Sequence, residues 1–236
     1  MTQRHKAIKA TLDVGTAAEW NNDHEADFST EVDESDIIIG PAITAEWDTA
    51  QTSGGSAPAL ALVGAAGSGH AFVVLNTGAT TGQSSSMRHK LGGSASNITS
   101  PDDLPTLNLA LQIAAVHTTG NVAEFGFFAS ATTPFTANQA GAYFRVYNNN
   151  LYAVTGTGAA ETATLIGAFS EYSNYRIHIN STNITFYVDD MAAASATITT
   201  TRPAVDLTIK ISVISANNVD STLRCDGLAW SRLRKA

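Results

Sequence analysis

The sequence predicts an all-β protein, built as an antiparallel β-sandwich or barrel. The first observation is strict alternation of apolar and polar side chains over residues 174–180 and again over 184–188. The second is the turn chemistry between these runs, Ser-Thr-Asn at 181–183. The third is that no helical period runs through the body of the chain. An antiparallel all-β fold satisfies all three observations.

The remaining strands follow from the same signals. After the turn Asp189-Asp190, a third run at 192–198 completes a predicted three-stranded meander. Other predicted strands are apolar runs between Gly- and Asn-containing turns: Ala71–Leu75, Leu107–Ile113, Val122–Phe128, Ala142–Tyr147, Leu151–Thr155, Leu207–Val213 and Thr222–Trp230. About ten strands are therefore expected, enough for two packed sheets.

Composition narrows the classes of function. The 236 residues suit one large domain, or one domain with an appendage. A net charge of −8 argues against a nucleic-acid partner, which requires a basic face. Hydrophobic residues make up 44%, which excludes disorder for most of the chain, and the single cysteine excludes an internal disulfide framework. Charged residues are only 14%, so Thr, Ser, Asn and Gly must form the polar surface, as on many secreted, cell-surface and virion proteins.

Neither a membrane span nor an export signal is expected. The longest apolar run, Ala57–Gly67, is shorter than the roughly 20 residues that a spanning helix needs. Basic residues precede Ala10, but no apolar stretch follows them. We therefore expect a virion protein that is made in the host cytoplasm, or otherwise a protein of the extracellular surface, with no membrane partner.

The first 34 residues are expected to form a separate arm. Thr16 and Glu19 have the spacing of a capping box, which predicts a short helix at about 17–27. One stripe of this helix carries residues four apart: Trp20, His24 and Phe28. Eight of the 21 acidic residues fall between Glu19 and Asp36. Such runs are usually solvated, although an acidic arm that docks on a basic partner or holds a cation is the functional alternative.

The second half of the chain resembles a known superfamily. Five strings occur in a familiar order: Gly126-Phe127-Phe128, Gly141-Ala142-Tyr143-Phe144-Arg145-Val146, Tyr175-Arg176-Ile177-His178-Ile179-Asn180, Ile184-Thr185-Phe186-Tyr187-Val188-Asp189 and Leu223-Arg224-Cys225-Asp226-Gly227-Leu228. They resemble the concanavalin A-like lectin/glucanase superfamily over about residues 107–232. The resemblance implies a two-sheet jelly-roll β-sandwich at 35–236, after a helical arm at 1–34. One departure is Asp189-Asp190, where the family usually has Asp-Gly.

A shorter resemblance concerns biological setting. The stretch Val14–His24 is similar to openings of phage tail and head-fibre proteins. We therefore expect a non-enzymatic virion structural or surface protein of the head- or tail-fibre type. Its partners would be other virion proteins, or further copies of itself joined through the arm, together with host surface glycans. The alternatives are a carbohydrate-binding module of a cell-surface protein and, third, a glycoside hydrolase of the same fold, because this fold hosts all three.

Catalysis, metals and cofactors are not expected. Hydrolases of the superfamily carry Glu-x-Asp-x-x-Glu on one mid-domain strand, where alternation brings the carboxylates together. The nearest string, Glu31–Asp36, ends in Asp and lies inside the acidic run, while the corresponding mid-domain region has Glu124 alone. The six histidines show no metal-ligand spacing.

A glycan site, if present, is expected on outward-facing aromatic and basic side chains. With Phe144 and Val146 facing the core, alternation turns the intervening residues outward, and the same holds around Ile177 and Ile179. The candidate ligand-binding residues are Tyr143, Arg145, Tyr147, Arg176 and His178. This site requires both strands to lie in the same sheet, and the same pattern is also typical of an ordinary solvent face.

Overall fold

The computed structural model describes residues 31–34, 47–51, 56–63, 70–89, 98–114, 120–129, 135, 137–216 and 218–233. These residues contain fifteen strands: β1 (Glu31–Glu34), β2 (Trp47–Gln51), β3 (Ser56–Val63), β4 (His70–Asn76), β5 (Ser84–His89), β6 (Thr106–Ala114), β7 (Val122–Ala129), β8 (Gly141–Tyr147), β9 (Asn150–Gly156), β10 (Glu161–Ala168), β11 (Tyr172–Ile179), β12 (Ile184–Val188), β13 (Ala196–Ile198), β14 (Leu207–Ile214) and β15 (Thr222–Leu233). Their helical content is one short 3-10 turn, Pro101–Asp103. In these ranges no helix has the length and apolar character to cross a membrane.

The strands form two antiparallel sheets. Sheet A has the order β13-β12-β11-β6-β15-β4-β3, and β1 also pairs with β15. Sheet B has the order β10-β9-β8-β7-β14-β5-β2. Along the edge of β15 that faces away from β6, residues 222–225 pair with β4 and residues 230–233 pair with β1. The predicted all-β, two-sheet antiparallel architecture is confirmed.

The core lies between the two sheets and follows from alternation. Central strands such as β6, β7, β8, β11 and β14 send every second side chain inward, and most of those side chains are apolar. Aromatic rings join the sheets: Tyr175 of sheet A lies 4.8 Å from Phe125 and 5.0 Å from Phe144 of sheet B, and Phe144 lies 5.2 Å from Phe186 (distances between ring centroids). Each such ring pair adds roughly 0.5–1.5 kcal/mol beyond the burial of its area. This cluster fixes β7 and β8 against sheet A.

Most predicted strands are confirmed, and the meander is β11-β12-β13. Five strands were not predicted: β1, β2, β3, β5 and β10. β5 is mostly polar, and β10 is exposed on both faces at residues 163–165, so neither has an apolar alternation. At the N-terminus, residues 31–34 pair with β15, so this end of the predicted arm belongs to sheet A. The predicted helix at 17–27 lies outside the described residues.

Candidate functional site

The candidate site lies on the outer face of sheet B, across β7 to β10. Cross-strand pairing puts Glu124 opposite Arg145, Arg145 opposite Tyr152, and Tyr152 opposite Leu165. Residues paired in this way project on the same side of an antiparallel sheet. Their neighbours along each strand, such as Phe125 and Phe144, point into the core. A single row of side chains therefore crosses four strands on the outside of the sandwich.

Arg145 lies between two carboxylates. Its Nε donates to Glu124 Oε1 at 2.8 Å, while Nη1 and Nη2 donate to the two oxygens of Glu161 at 2.7 and 3.0 Å. Planar guanidinium groups suit such bidentate contacts. The side chain of Glu124 is 1% exposed, that of Glu161 16% and that of Arg145 20%. The ion pair is thus buried at β7 and reaches solvent toward β10.

Residues of the loop between β7 and β8 donate further hydrogen bonds to the two carboxylates. The backbone N–H of Phe135 donates to Glu124 Oε2 at 3.1 Å, and Gln139 Nε2 donates to the same oxygen at 2.7 Å. The backbone of Asn138 hydrogen-bonds to Glu161. A buried carboxylate is tolerated when its lone pairs are satisfied in this way. The two glutamates therefore hold Phe135, Asn138 and Gln139 of this loop against the outer face of sheet B.

The buried side chain of Tyr143 belongs to the same hydrogen-bond network. It is fully buried, donates its hydroxyl to Glu161 at 2.9 Å, and accepts from Arg145 Nη2 at 3.1 Å. Its ring stacks on Phe128 with centroids 4.5 Å apart, and Lys210 Nζ lies 5.5 Å from the Phe128 centroid. Burial is the main cause that raises the pKa of the Tyr143 hydroxyl well above its usual value. Tyr143 therefore acts as a neutral donor in the network.

Two further groups titrate abnormally on this face. Burial alone would raise the pKa of Glu161, but hydrogen bonds from Arg145 and Tyr143 and the charge of Arg145 outweigh burial, so its pKa lies below the ordinary value. Burial, together with the nearby Arg88 charge, lowers the pKa of Lys210 to about 8, although Glu124 opposes the shift. At neutral pH Glu161 is therefore negatively charged and Lys210 is mostly positively charged.

The predicted ligand-binding residues fall on opposite sides of the molecule. Tyr143, Arg145 and Tyr147 lie on the outer face of β8 in sheet B, whereas Arg176 and His178 lie on β11 in sheet A. The expectation that the two strands share a sheet is wrong, because the chain passes from one sheet to the other between them. The structure brings Tyr143 and Arg145 together and leaves Tyr147, 40% exposed, one alternation further along β8.

The pair on sheet A is held by its own neighbours. Arg176 Nε donates to Asn108 Oδ1 at 2.7 Å, and its guanidinium carbon lies 5.8 Å from the centre of the Tyr187 ring. His178 Nδ1 lies 2.6 Å from Thr106 Oγ1. All these side chains are partly buried. This arrangement is that of an ordinary polar sheet surface, and the binding role assigned to Arg176 and His178 stays a prediction.

Three residues of the site were not identified from the sequence. Glu161 lies on a strand that shows no alternation, and Gln139 lies in a loop, so neither carries a sequence signal for its role. Tyr152 does carry one: Leu151 and Ala153 flank it and face the core, which turns Tyr152 outward beside Arg145.

The hydrolase motif is blocked on β7 by backbone geometry. Starting from Glu124, the position of the second carboxylate is Gly126, whose φ is +148°. A Cβ at Gly126 would lie 2.6 Å from both the Ala142 carbonyl oxygen and the Tyr143 Cα. No side chain fits there without a shift of the β8 backbone. Across the described part of the chain, no cluster of three His, Cys, Asp or Glu side chains is placed to hold a metal ion.

Solved structures share this architecture. The chain is similar to the carbohydrate recognition domain of Emp47p (TM-score 0.57, 13% identity, 85% of this chain and 94% of that one). It is equally similar to a native glycosidic hydrolase (TM-score 0.57, 13% identity, 86% and 95%). The β-glucanase of Bacillus licheniformis follows (TM-score 0.53, 12% identity, 88% and 93%). The fold is the concanavalin A-like jelly roll.

These likenesses establish the fold that the five sequence strings predicted. No protein-family model matches the sequence, and no curated protein matches it. The similar structures include both carbohydrate recognition domains and glycoside hydrolases. Activity must therefore be argued from the site itself.

Proposed function

We propose that this protein is a non-enzymatic carbohydrate-binding protein that holds its glycan on the outer face of sheet B. One observation carries the proposal: Arg145 is clamped by Glu124 and Glu161, remains 20% exposed, and has the partly exposed ring of Tyr152 directly opposite on β9. A pyranose has one apolar face and a rim of hydroxyls. An aromatic ring beside fixed donors and acceptors matches both.

The charge balance favours a neutral glycan. Arg145 is compensated by two carboxylates, so an anionic sugar would meet no uncompensated guanidinium. Sugar hydroxyls suit the pair better, because they can accept from Arg145 and donate to Glu161. Tyr152 then packs on the apolar face of the ring, and Tyr147 borders the same surface from β8. Because the ion pair is already ordered, little conformational entropy is lost on binding.

Absence of hydrolysis is part of the proposal. Glycoside hydrolysis requires one carboxyl group that is protonated at working pH and a second that is free to attack or to activate water. Glu161 has a lowered pKa, which is opposite to what a general acid needs. Glu124 accepts from Arg145, Phe135 and Gln139 and is almost fully buried. Gly126 supports no further carboxylate.

The test combines binding and activity on the intact chain. A glycan array identifies ligands, and titration of the best ligand then compares Tyr152→Ala with Tyr187→Ala, a partly exposed tyrosine on sheet A. We expect Tyr152→Ala to weaken binding ten- to hundredfold, equivalent to roughly 1–3 kcal/mol, and Tyr187→Ala to leave it unchanged. No reducing ends should be released from β-glucans or galactans. Equal losses in the two variants, or steady reducing-end release abolished by Glu124→Gln, would contradict the proposal.

For the biological setting we propose a virion surface, with the glycan belonging to the host. The support is the string Val14–His24, similar to openings of phage tail and head-fibre proteins, and the low content of charged residues. Mass-spectrometric detection of the chain in purified particles tests this part independently of glycan binding. Its absence from particles that contain all other products of neighbouring genes would contradict the virion setting alone.

A further inference from the structure

β10 is the terminal strand of sheet B and is unusually open. It pairs with β9 on one side, and no described strand pairs with its other side. Three consecutive residues, Ala163, Thr164 and Leu165, are exposed, and Leu165 is 56% exposed. Since successive residues point to opposite faces, residues 163–165 lie outside the core on both faces of β10, whereas Thr162 hydrogen-bonds to Thr200 and Ile166 packs against the core.

The common protections of an edge strand do not cover this stretch. Natural edges are blunted by lysines, prolines, shortness or bulges. β10 has eight residues, and its only charge is Glu161 at the first position. Its bulge comes after Leu165, so residues 161–165 keep regular register with β9. One terminal strand of sheet A, β13, has three residues and is protected by its shortness.

The backbone groups of β10 that face outward can be assigned. The Thr157 backbone N–H donates to the Ala160 carbonyl, which makes this a hydrogen-bonded pair at the β9–β10 turn. Hydrogen-bonded and non-hydrogen-bonded pairs alternate along an antiparallel ladder. Thr162 and Thr164 therefore bond to β9, and the N–H and C=O groups of Ala163 and Leu165 face the open edge.

From this geometry we propose that β10 pairs with β10 of a second copy of this chain, so that sheet B continues across a two-fold axis. An axis at Thr164 places Ala163 opposite Leu165 of the second copy, and both have outward-facing backbone groups. The two Thr164 side chains then meet in a non-hydrogen-bonded pair, where cross-strand side chains approach most closely. Glu161 falls opposite Gly167, so no like charges meet. A two-fold axis requires such a self-complementary edge, which favours a second copy as the occupant.

Cysteine cross-linking of the full chain tests the register. The native cysteine, Cys225, is buried and gives a low background. Thr164→Cys places two thiols at the axis, within the Cα separation that a disulfide spans. The matched control is Ala168→Cys, also exposed and on β10 but four residues from the axis. Under mild oxidation we expect a disulfide-linked dimer from Thr164→Cys and at least tenfold less from Ala168→Cys.

The mass in solution tests the contact without cross-linking. Light scattering should give a dimer for the unmodified chain and a monomer for Thr164→Lys, which sets two ammonium groups opposite each other. The control Thr197→Lys, at the exposed central residue of β13, should remain dimeric. An unmodified chain that is monomeric, an oligomer that survives Thr164→Lys, or equal cross-linking at positions 164 and 168 would each overturn the proposal.

Discussion

Removing Arg145 is the sharpest test of the network on sheet B. The variant Arg145→Met keeps the length of the side chain and deletes the guanidinium. Four hydrogen bonds disappear: one to Glu124, two to Glu161 and one to Tyr143. Glu124 then remains buried with its charge uncompensated by Arg145.

The expected loss follows from this geometry. Breaking a buried ion pair by removing one partner costs about 3–5 kcal/mol. Because Arg145 and Glu161 keep some contact with solvent, the lower end applies, at about 3 kcal/mol. For a domain of this size that corresponds to a fall in Tm of roughly 6–12 °C. The double variant Arg145→Met/Glu124→Gln should recover part of the loss, because a neutral amide needs no counter-charge.

The pH dependence of the unfolding free energy is a second, independent test of the network. In the unmodified protein the folded-state pKa of Glu161 is below its unfolded value, so its stabilisation is present at neutral pH and is lost as the pH falls through the folded pKa. In Arg145→Met, Glu161 loses the charge and the hydrogen bonds that lower its pKa, so less stabilisation is lost when it takes up a proton. The difference in unfolding free energy between the unmodified protein and Arg145→Met should therefore become smaller as the pH falls from 7 toward 4.

Urea denaturation at several pH values measures both effects. The control is Arg176→Met on sheet A, whose guanidinium donates to Asn108 and lies over Tyr187; about 1 kcal/mol is expected there. If Arg145→Met loses no more stability than Arg176→Met, or if its deficit stays constant with pH, the network does not stabilise the fold as described.

Two further predictions concern the same face. Gly126→Ala should lose roughly 2–5 kcal/mol in urea denaturation, from backbone strain and the clash with β8, whereas Gly82→Ala, also at positive φ but with open space around its Cβ, should lose about 1 kcal/mol; equal losses would exclude the clash. Lys210 releases its proton near pH 8 when folded but near 10.5 when unfolded, so the unfolding free energy should rise between pH 8 and 10; Lys210→Met should remove that rise, and an unchanged profile would contradict the shifted pKa of Lys210.

Alternation predicted the fold well, because side chains that enter a core must be apolar at every second position. It located the strands that carry Phe125, Phe144, Ile177 and Phe186, and it assigned the correct inward faces to Phe144 and Ile177. It did not find β10, since a strand exposed on both faces has no period to detect. The sequence signal of a strand is the alternation of apolar and polar residues, and an edge strand that buries few side chains has almost no alternation.

The site was only partly predictable for a different reason. The outward orientation of Arg145 followed from its strand, but its partner Glu161 comes from two strands away, and hydrogen-bond partners depend on pairing order. The same limitation produced the wrong assumption that Arg176 and His178 share a sheet with Arg145. The sequence pattern shows which residues of a strand face the core, but it does not show which strands pair with each other.

The position of β15 determines when the sandwich can be completed during synthesis. β15 lies inside sheet A, with β6 on one edge and β4 and β1 on the other. Until residues 222–233 leave the ribosome, sheet A consists of three separate parts, which are β13-β12-β11-β6, the pair β3-β4, and β1. The pairing of Glu31 with Leu233 likewise joins residues that are 202 positions apart in the sequence. We therefore expect slow folding, in which sheet A is completed only after residues 222–233 have been synthesised.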